Sequence, residues 1–170
     1  MSDWIQQNFP DIYRIGMRGA NSWPDAIYAT LYMTVISFII GGLLGLIMGL
    51  FLVLTGPRGV IENKFIFQIL DKITSIFRAI PFIILLAILK DFTYFIVGTN
   101  LGKTAALVPL SAATFPFFAR QVQVVLADLD RGVIEAAQAS GANLWDTIKV
   151  YLGEGLPELV RVSTVTLISL

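Results

Sequence analysis

The longest polar-leaning interval after residue 100 is Glu135 to Pro157, EAAQASGANLWDTIKVYLGEGLP, and it lies between two apolar runs. Its chemistry is recognition rather than catalysis. The chain has no His and no Cys. That removes the commonest general base, the usual imidazole metal ligand, any thiolate site and any disulfide. Ser111 and Thr114 have no visible base beside them, and no paired intramembrane carboxylates occur. No glycine-rich phosphate loop ending in Gly-Lys-Ser or Gly-Lys-Thr is present, so the chain has no such means of holding ATP. Twelve basic residues balance twelve acidic ones, which leaves no electrostatic footprint for nucleic acid.

What remains is a helical hairpin that another protein can grip. The pattern predicts a first short helix over residues 131–140, with Asp128 or Asp130 accepting from its free N–H groups. Gly141 stands where a helix ends in a left-handed residue. Asn143 then caps a second helix, with Asp146 in the place of a capping-box acid. Leu144, Ile148, Tyr151 and Leu152 recur at helical spacing and form its apolar face.

The elements that hold this hairpin belong in a membrane. Only 14% of residues are charged, against about 25% in soluble domains. Residues 26–54 contain no charge at all, enough for one span at about 20 residues per crossing. Gly41, Gly45 and Gly49 make two overlapping small-xxx-small pairs beside Gly42, and intramolecular helix contact is the preferred reading over a dimer contact. Residues 55–59, Thr-Gly-Pro-Arg-Gly, form a turn. Residues 61–78 are amphipathic and 80–89 wholly apolar, with Pro81 expected to bend the helix. Lys90 and Asp91 close that run, before an aromatic patch at 92–97 and a loop at 98–103. A further span at 104–125 holds Pro109 and Pro116 and is expected to be kinked. Arg120 and Gln121 near its far end are expected to snorkel to the interface. The last apolar run, 159–170, reads as the start of a span, so the chain is expected to be truncated at its C-terminus. Residues 1–25 lack the pattern of a signal peptide. Ile12, Ile15 and Gly19 suggest a short interfacial helix there, and Trp23-Pro24-Asp25 a helix start.

Eight of the twelve basic residues fall in 58–78 and 120–161; Arg14, Arg18, Lys90 and Lys103 fall on the other side. The positive-inside rule then puts both richer loops, and the hairpin, in the cytoplasm and the N-terminus outside.

Glu135-Ala136-Ala137, three residues, then Gly141-Ala142 ahead of an amphipathic helix, resembles the EAA loop of ATP-binding-cassette importer permeases. The resemblance extends over most of the chain. Residues 76–86, Ile-Phe-Arg-Ala-Ile-Pro-Phe-Ile-Ile-Leu-Leu, are similar to the corresponding segment of the methionine importer membrane subunits, as are Val108-Pro109-Leu110 and the run from Pro116 to Arg120. One departure stands out: the family often has Leu-Pro soon after the second helix, where this chain has Leu152-Gly153, with Pro157 later. The resemblance implies an all-α, polytopic transmembrane bundle of the type I importer permease kind. It would have four to five spans in residues 26–170, after an extracellular or interfacial segment at 1–25. Residues 128–158 would be the cytoplasmic coupling loop. It implies a bacterial plasma-membrane transport subunit, not an enzyme, carrying no cofactor, with ATP and Mg on a separate pair of ATPase subunits. Other implied partners are a substrate-binding protein, a second permease copy and membrane lipid. Glu135, Ala136, Ala137, Gly141 and Ala142 would contact the ATPase. Arg78, Pro81, Phe82 and Leu85 would line the translocation path. Methionine is the expected cargo, with polar amino acids the alternative; a secondary transporter or channel is a further reading.

Overall fold

The computed structural model describes residues 2–17 and 22–170. Among the described residues every regular element is a helix: α1 (Ser2–Asn8), α2 (Pro10–Met17), α3 (Trp23–Thr55), α4 (Lys64–Ala79), α5 (Phe82–Ile88), α6 (Lys90–Val97), α7 (Lys103–Ala127), α8 (Arg131–Ala139), α9 (Leu144–Glu154) and α10 (Leu156–Ser169).

Three glycines set how closely the two longest helices approach. A Cβ on Gly41 would lie 2.7 Å from the Ser111 carbonyl oxygen, one on Gly45 2.8 Å from that of Phe115, and one on Gly49 2.6 Å from that of Ala119. Backbone meets backbone along this seam, which only small residues permit. Contact positions rise together along both helices, so α3 and α7 run parallel. At their N-terminal ends the Lys103 ammonium sits 4.7 Å from the centre of the Tyr28 ring. The expected intramolecular role of the stripe is therefore observed, except that Gly42 faces Phe38 of its own helix. With 33 residues, α3 is roughly 50 Å long at 1.5 Å per residue. Among the described residues it is the one helix long and apolar enough by itself to cross a membrane. Trp23, Pro24 and Asp25 occupy its first turn, as expected.

Asn63 starts α4, its side chain accepting from the N–H groups of Phe65 and Ile66 at 3.1 Å. The bend expected at Pro81 is a full break. Ile80 is extended at φ −78°, ψ 120°, and α4 ends before it. Pro81 has no N–H to continue the ladder, and its ring pushes the preceding residue out of helical geometry. The chain then resumes as α5. The aromatic patch is also helical, as α6, and it stops at Gly98 with φ 76°. In contrast, α7 continues through both buried prolines.

Arg120 does not snorkel. Its Nη2 donates to Asp71 Oδ1 of α4 at 2.6 Å and to Ser75 Oγ at 3.3 Å, while Nη1 donates to Gln123 Oε1 at 2.6 Å. A charged group on an apolar helix gains more from a fixed carboxylate than from a stretched route to water. This ion pair ties the first half of the broken helix to α7. Near the N-terminus, Trp4 and Phe9 meet edge to face, and Trp4, Phe9 and Ile12 are exposed. Arg18 and Gly19, part of the sequence reading, lie outside the described residues.

Gly49→Leu is expected to force α3 and α7 apart at a cost of about 1–3 kcal/mol, read as a lower melting temperature in detergent; an unchanged melt would mean that the seam does not matter. Asp71→Ala, which removes the carboxylate from a partly buried guanidinium and leaves it only the neutral acceptors Ser75 and Gln123, is expected to cost about 1–3 kcal/mol. A double-mutant cycle with Arg120→Ala should return most of that as coupling.

Candidate functional site

The hairpin forms as its capping residues dictate. Asp130 accepts from the Gly132 N–H at 2.8 Å and opens α8. At the other end Gly141 takes φ 85°. Its N–H donates to the Gln138 carbonyl at 3.0 Å, and the Ala142 N–H to that of Ala137 at 3.1 Å. These two bonds are the Schellman arrangement, which satisfies carbonyls that a helix end leaves open. Asn143 accepts from the Asp146 N–H at 3.0 Å to start α9. Asp146 itself turns to Lys149 at 3.1 Å.

Residues 131, 134, 135 and 138 share the inner face of α8. Ile134 is buried, and Arg131, Glu135 and Gln138 line a cavity of about 730 Å³ with Arg58. Glu135 is exposed to that cavity and makes no ion pair among the described residues. Ala136 faces solvent, and Ala137 and Ala142 are half-buried. The five hairpin residues singled out in the sequence thus lie along the end of α8 and its turn, at different degrees of burial. However, Glu135 points to a different side from Ala136.

On α9 the expected apolar face is partly displaced. Tyr151 is buried and Ile148 and Leu152 half-buried, but Leu144 is exposed and Thr147, at 1% exposure, is the innermost residue. Thr147 satisfies its hydroxyl on the Asn143 carbonyl at 3.0 Å, which makes a polar residue acceptable there. The helix ends at Glu154, and Leu156-Pro157 opens α10. Gly153 faces open space. Gly155 is the constrained residue: a Cβ there would fall 2.6 Å from Leu126 Cδ2 and 2.7 Å from the Tyr151 carbonyl oxygen. Sequence reading missed it because nothing local distinguishes it from Gly153. Tyr151, Leu126, Ile134 and Leu159 join Val53, Phe118 and Val122 in one core, so the hairpin is anchored to α3, α7 and α10 together.

A second cavity, of about 360 Å³, opens at the break between α4 and α5. Arg78, Phe82 and Leu85 line it, facing Thr114 and Phe117 of α7 and Thr166 of α10. Pro81 is not among its lining residues; it creates the break that lets the others turn inward. Thr114 and Thr166 are buried and bond back to carbonyls of their own helices at 2.8 and 2.7 Å.

Burial pushes the Tyr151 phenol above its usual value of 10.0, and the Arg131 charge partly offsets this. The raised value means that the neutral phenol is favoured in the folded state. Its contribution to stability is complete below pH 10 and is lost as pH rises through the folded value. Tyr151→Phe is expected to lose this alkaline dependence, seen as a flatter melting temperature between pH 10 and 12.

The profile of the family described as "Binding-protein-dependent transport system inner membrane component" matches residues 41–170. The probable D-methionine transport system permease protein MetI of Pasteurella multocida is 45% identical over 142 residues, which are 83% of this chain and 65% of that protein. The methionine import system permease protein MetP of Bacillus subtilis is 48% identical over 147 residues, 86% of this chain and 66% of that protein. The chain therefore spans about two thirds of the length of these curated relatives. A solved chain of the MetNI methionine ABC transporter, in an inward facing conformation, superposes with a TM-score of 0.82 at 43% identity, covering 84% of this chain and 67% of that one. The matched region contains the parallel seam, the broken helix and the hairpin, and on that evidence this chain belongs to the family of inner membrane components of binding-protein-dependent transport systems.

Proposed function

We propose that this chain is the membrane-spanning subunit of an ATP-driven methionine importer. The observation that carries this is the anchoring of the α8–α9 hairpin. Its buried residues, Ile134 and Tyr151, share one core with α3, α7 and α10, so a push on the hairpin moves membrane helices rather than a loose loop. The relatives named for methionine transport, at 45% and 48% identity, support the cargo.

In this reading α3, the α4–α6 run, α7 and α10 cross the membrane. Parallel α3 and α7 bring the turn at 56–63 and the hairpin to the same side, in keeping with a cytoplasmic side rich in Lys and Arg and an N-terminus outside. The hairpin docks on an ATPase subunit, which holds ATP and Mg. Ala136 and Ala137 allow close approach, Glu135 offers a carboxylate, and the Gly141 turn with Ala142 fixes the angle between the two helices. A second permease copy completes the path, and a binding protein delivers cargo from outside. Arg78, Phe82 and Leu85 line the path at the break made by Pro81. A thioether side chain suits a cavity walled by Phe77, Phe82, Leu85 and Phe117, with the Arg78 guanidinium available to a carboxylate.

The test is uptake of radiolabelled methionine by cells carrying the complete transporter. Excess unlabelled methionine should suppress it and glutamine should not; the reverse would favour a polar amino acid. Gly141→Pro is expected to abolish both uptake and methionine-dependent ATPase activity while the protein still inserts. Leu85→Trp, which fills the cavity, should abolish uptake and leave basal ATPase activity. Uptake that survives ATP depletion would overturn the reading.

A further inference from the structure

A further cavity, of about 260 Å³, opens at the end of the bundle where α7 begins, away from the hairpin. Leu86 of α5, Lys90 of α6, Asn100 and Leu101 of the loop before α7, and Ala106 and Pro109 of α7 line it. Its walls offer free surface: Leu86 is 41% exposed and Leu101 83%, and Lys90 and Asn100 are exposed too. The cavity lies in line with the inner one at the Pro81 break. On α7, Ala106 and Pro109 line the outer cavity, and Ala113 and Phe117 the inner one. These four positions recur at helical spacing, so they share one face. On α5, Leu86 belongs to the outer cavity and Leu85 to the inner. Leu85, at 3% exposure, stands at the boundary between them.

The charge of this outer cavity is one-sided. Lys90 is the one charged residue on its lining, and its ammonium makes no ion pair among the described residues. Lys103, close by in the chain, is occupied by the Tyr28 and Tyr32 rings at 4.7 and 5.8 Å. Lys90 also opens α6, where a cation meets the positive end of the helix dipole. Helix stability therefore does not account for a lysine there. The volume is below the roughly 300–1,000 Å³ that suits drug-sized ligands, which selects a smaller molecule.

We propose that this cavity is an outer waiting site for a single free amino acid. Its carboxylate meets the Lys90 ammonium, a charge-assisted contact. Its own ammonium meets the Asn100 side-chain oxygen, and its side chain lies along Leu86 and Leu101. An amino acid held there stands about one helical turn, Pro109 to Ala113, from the inner cavity. The inference rests on the reading of the chain as an amino-acid importer subunit, which puts the start of α7 on the outer side.

The test uses the complete transporter in lipid nanodiscs, without ATP or binding protein, and a methionine analogue with a diazirine in place of the thioether. Light-induced labels are located by peptide mass spectrometry. Labels are expected at Leu86, Leu101 and Ala106. Excess methionine should remove them, and 3-(methylthio)propylamine, which lacks the carboxylate, should not. Lys90→Gln is expected to lower this labelling about tenfold, and Lys90→Arg to retain it. Leu85→Trp, which fills the inner cavity, should leave the outer labels in place. No label on the outer cavity, or labelling unchanged by Lys90→Gln, would overturn the proposal; label on the inner cavity alone would do so and leave the importer reading standing. Unchanged labelling with weaker docking of the binding protein in Lys90→Gln would give the ammonium to a protein carboxylate and likewise overturn it. Displacement of the outer labels by glutamine and not by methionine would keep the site and overturn methionine as the cargo.

Discussion

The contact on which the rest depends is the parallel seam between α3 and α7. Gly41, Gly45 and Gly49 place bare backbone against the carbonyls of Ser111, Phe115 and Ala119. Lipid tails are as apolar as leucine, so burial of apolar surface gives helices in a membrane little reason to associate. Dispersion between closely fitted backbones supplies that reason instead. The same closeness leaves no room for water or lipid, and it fixes the register of everything attached to the two helices. Parallel direction then brings the turn after α3 and the hairpin after α7 to one end of the molecule.

From that end the core continues without interruption into the hairpin. Val53, Phe118, Val122 and Leu126 belong to the seam's last turns, and Ile134, Tyr151 and Leu159 carry the contact into α8, α9 and α10. Gly155 lets α9 and α10 meet close against Leu126. The hairpin keeps an exposed outer surface, Leu144 and Trp145 included, while its underside is packed into the core. The broken helix has a complementary role. Its first half is held to α7 by the Arg120–Asp71 pair, and its second half is released by Pro81 to open a cavity. The bundle thus combines a packed joint at one end with a discontinuity farther along.

Much of this was legible in residue order because it rests on local physics. The charge-free run of 26–54 marks a span wherever it is placed. Asp130, Gly141 and Asn143 cap helices through their own backbone neighbours, and the structure has all three in those roles. Helix capping is decided within four residues, so spacing suffices. The family resemblance was legible for the same reason: its motifs are contiguous. The local pattern predicts a bend at Pro81, and the structure has a break, since Ile80 as well as Pro81 leaves helical geometry. Nothing in the local pattern says whether neighbours will hold a proline-interrupted helix together, as they do around Pro109 and Pro116.

The sequence by itself determined the class of the protein, the ends of most helices and the turn chemistry of the hairpin, because hydropathy, capping and proline effects act over short stretches of chain. Tertiary structure alone decided which glycine near the end of α9 is constrained: Gly155 is crowded, whereas Gly153 is open, although the two look alike in the chain. Tertiary structure alone also turned Arg120 inward to a carboxylate 49 residues away, made Thr147 and not Leu144 the inner residue of α9, and put Arg58 on the same cavity as Glu135. Those outcomes depend on which surface each helix presents to a distant neighbour, and that is settled only when α3 and α7 meet.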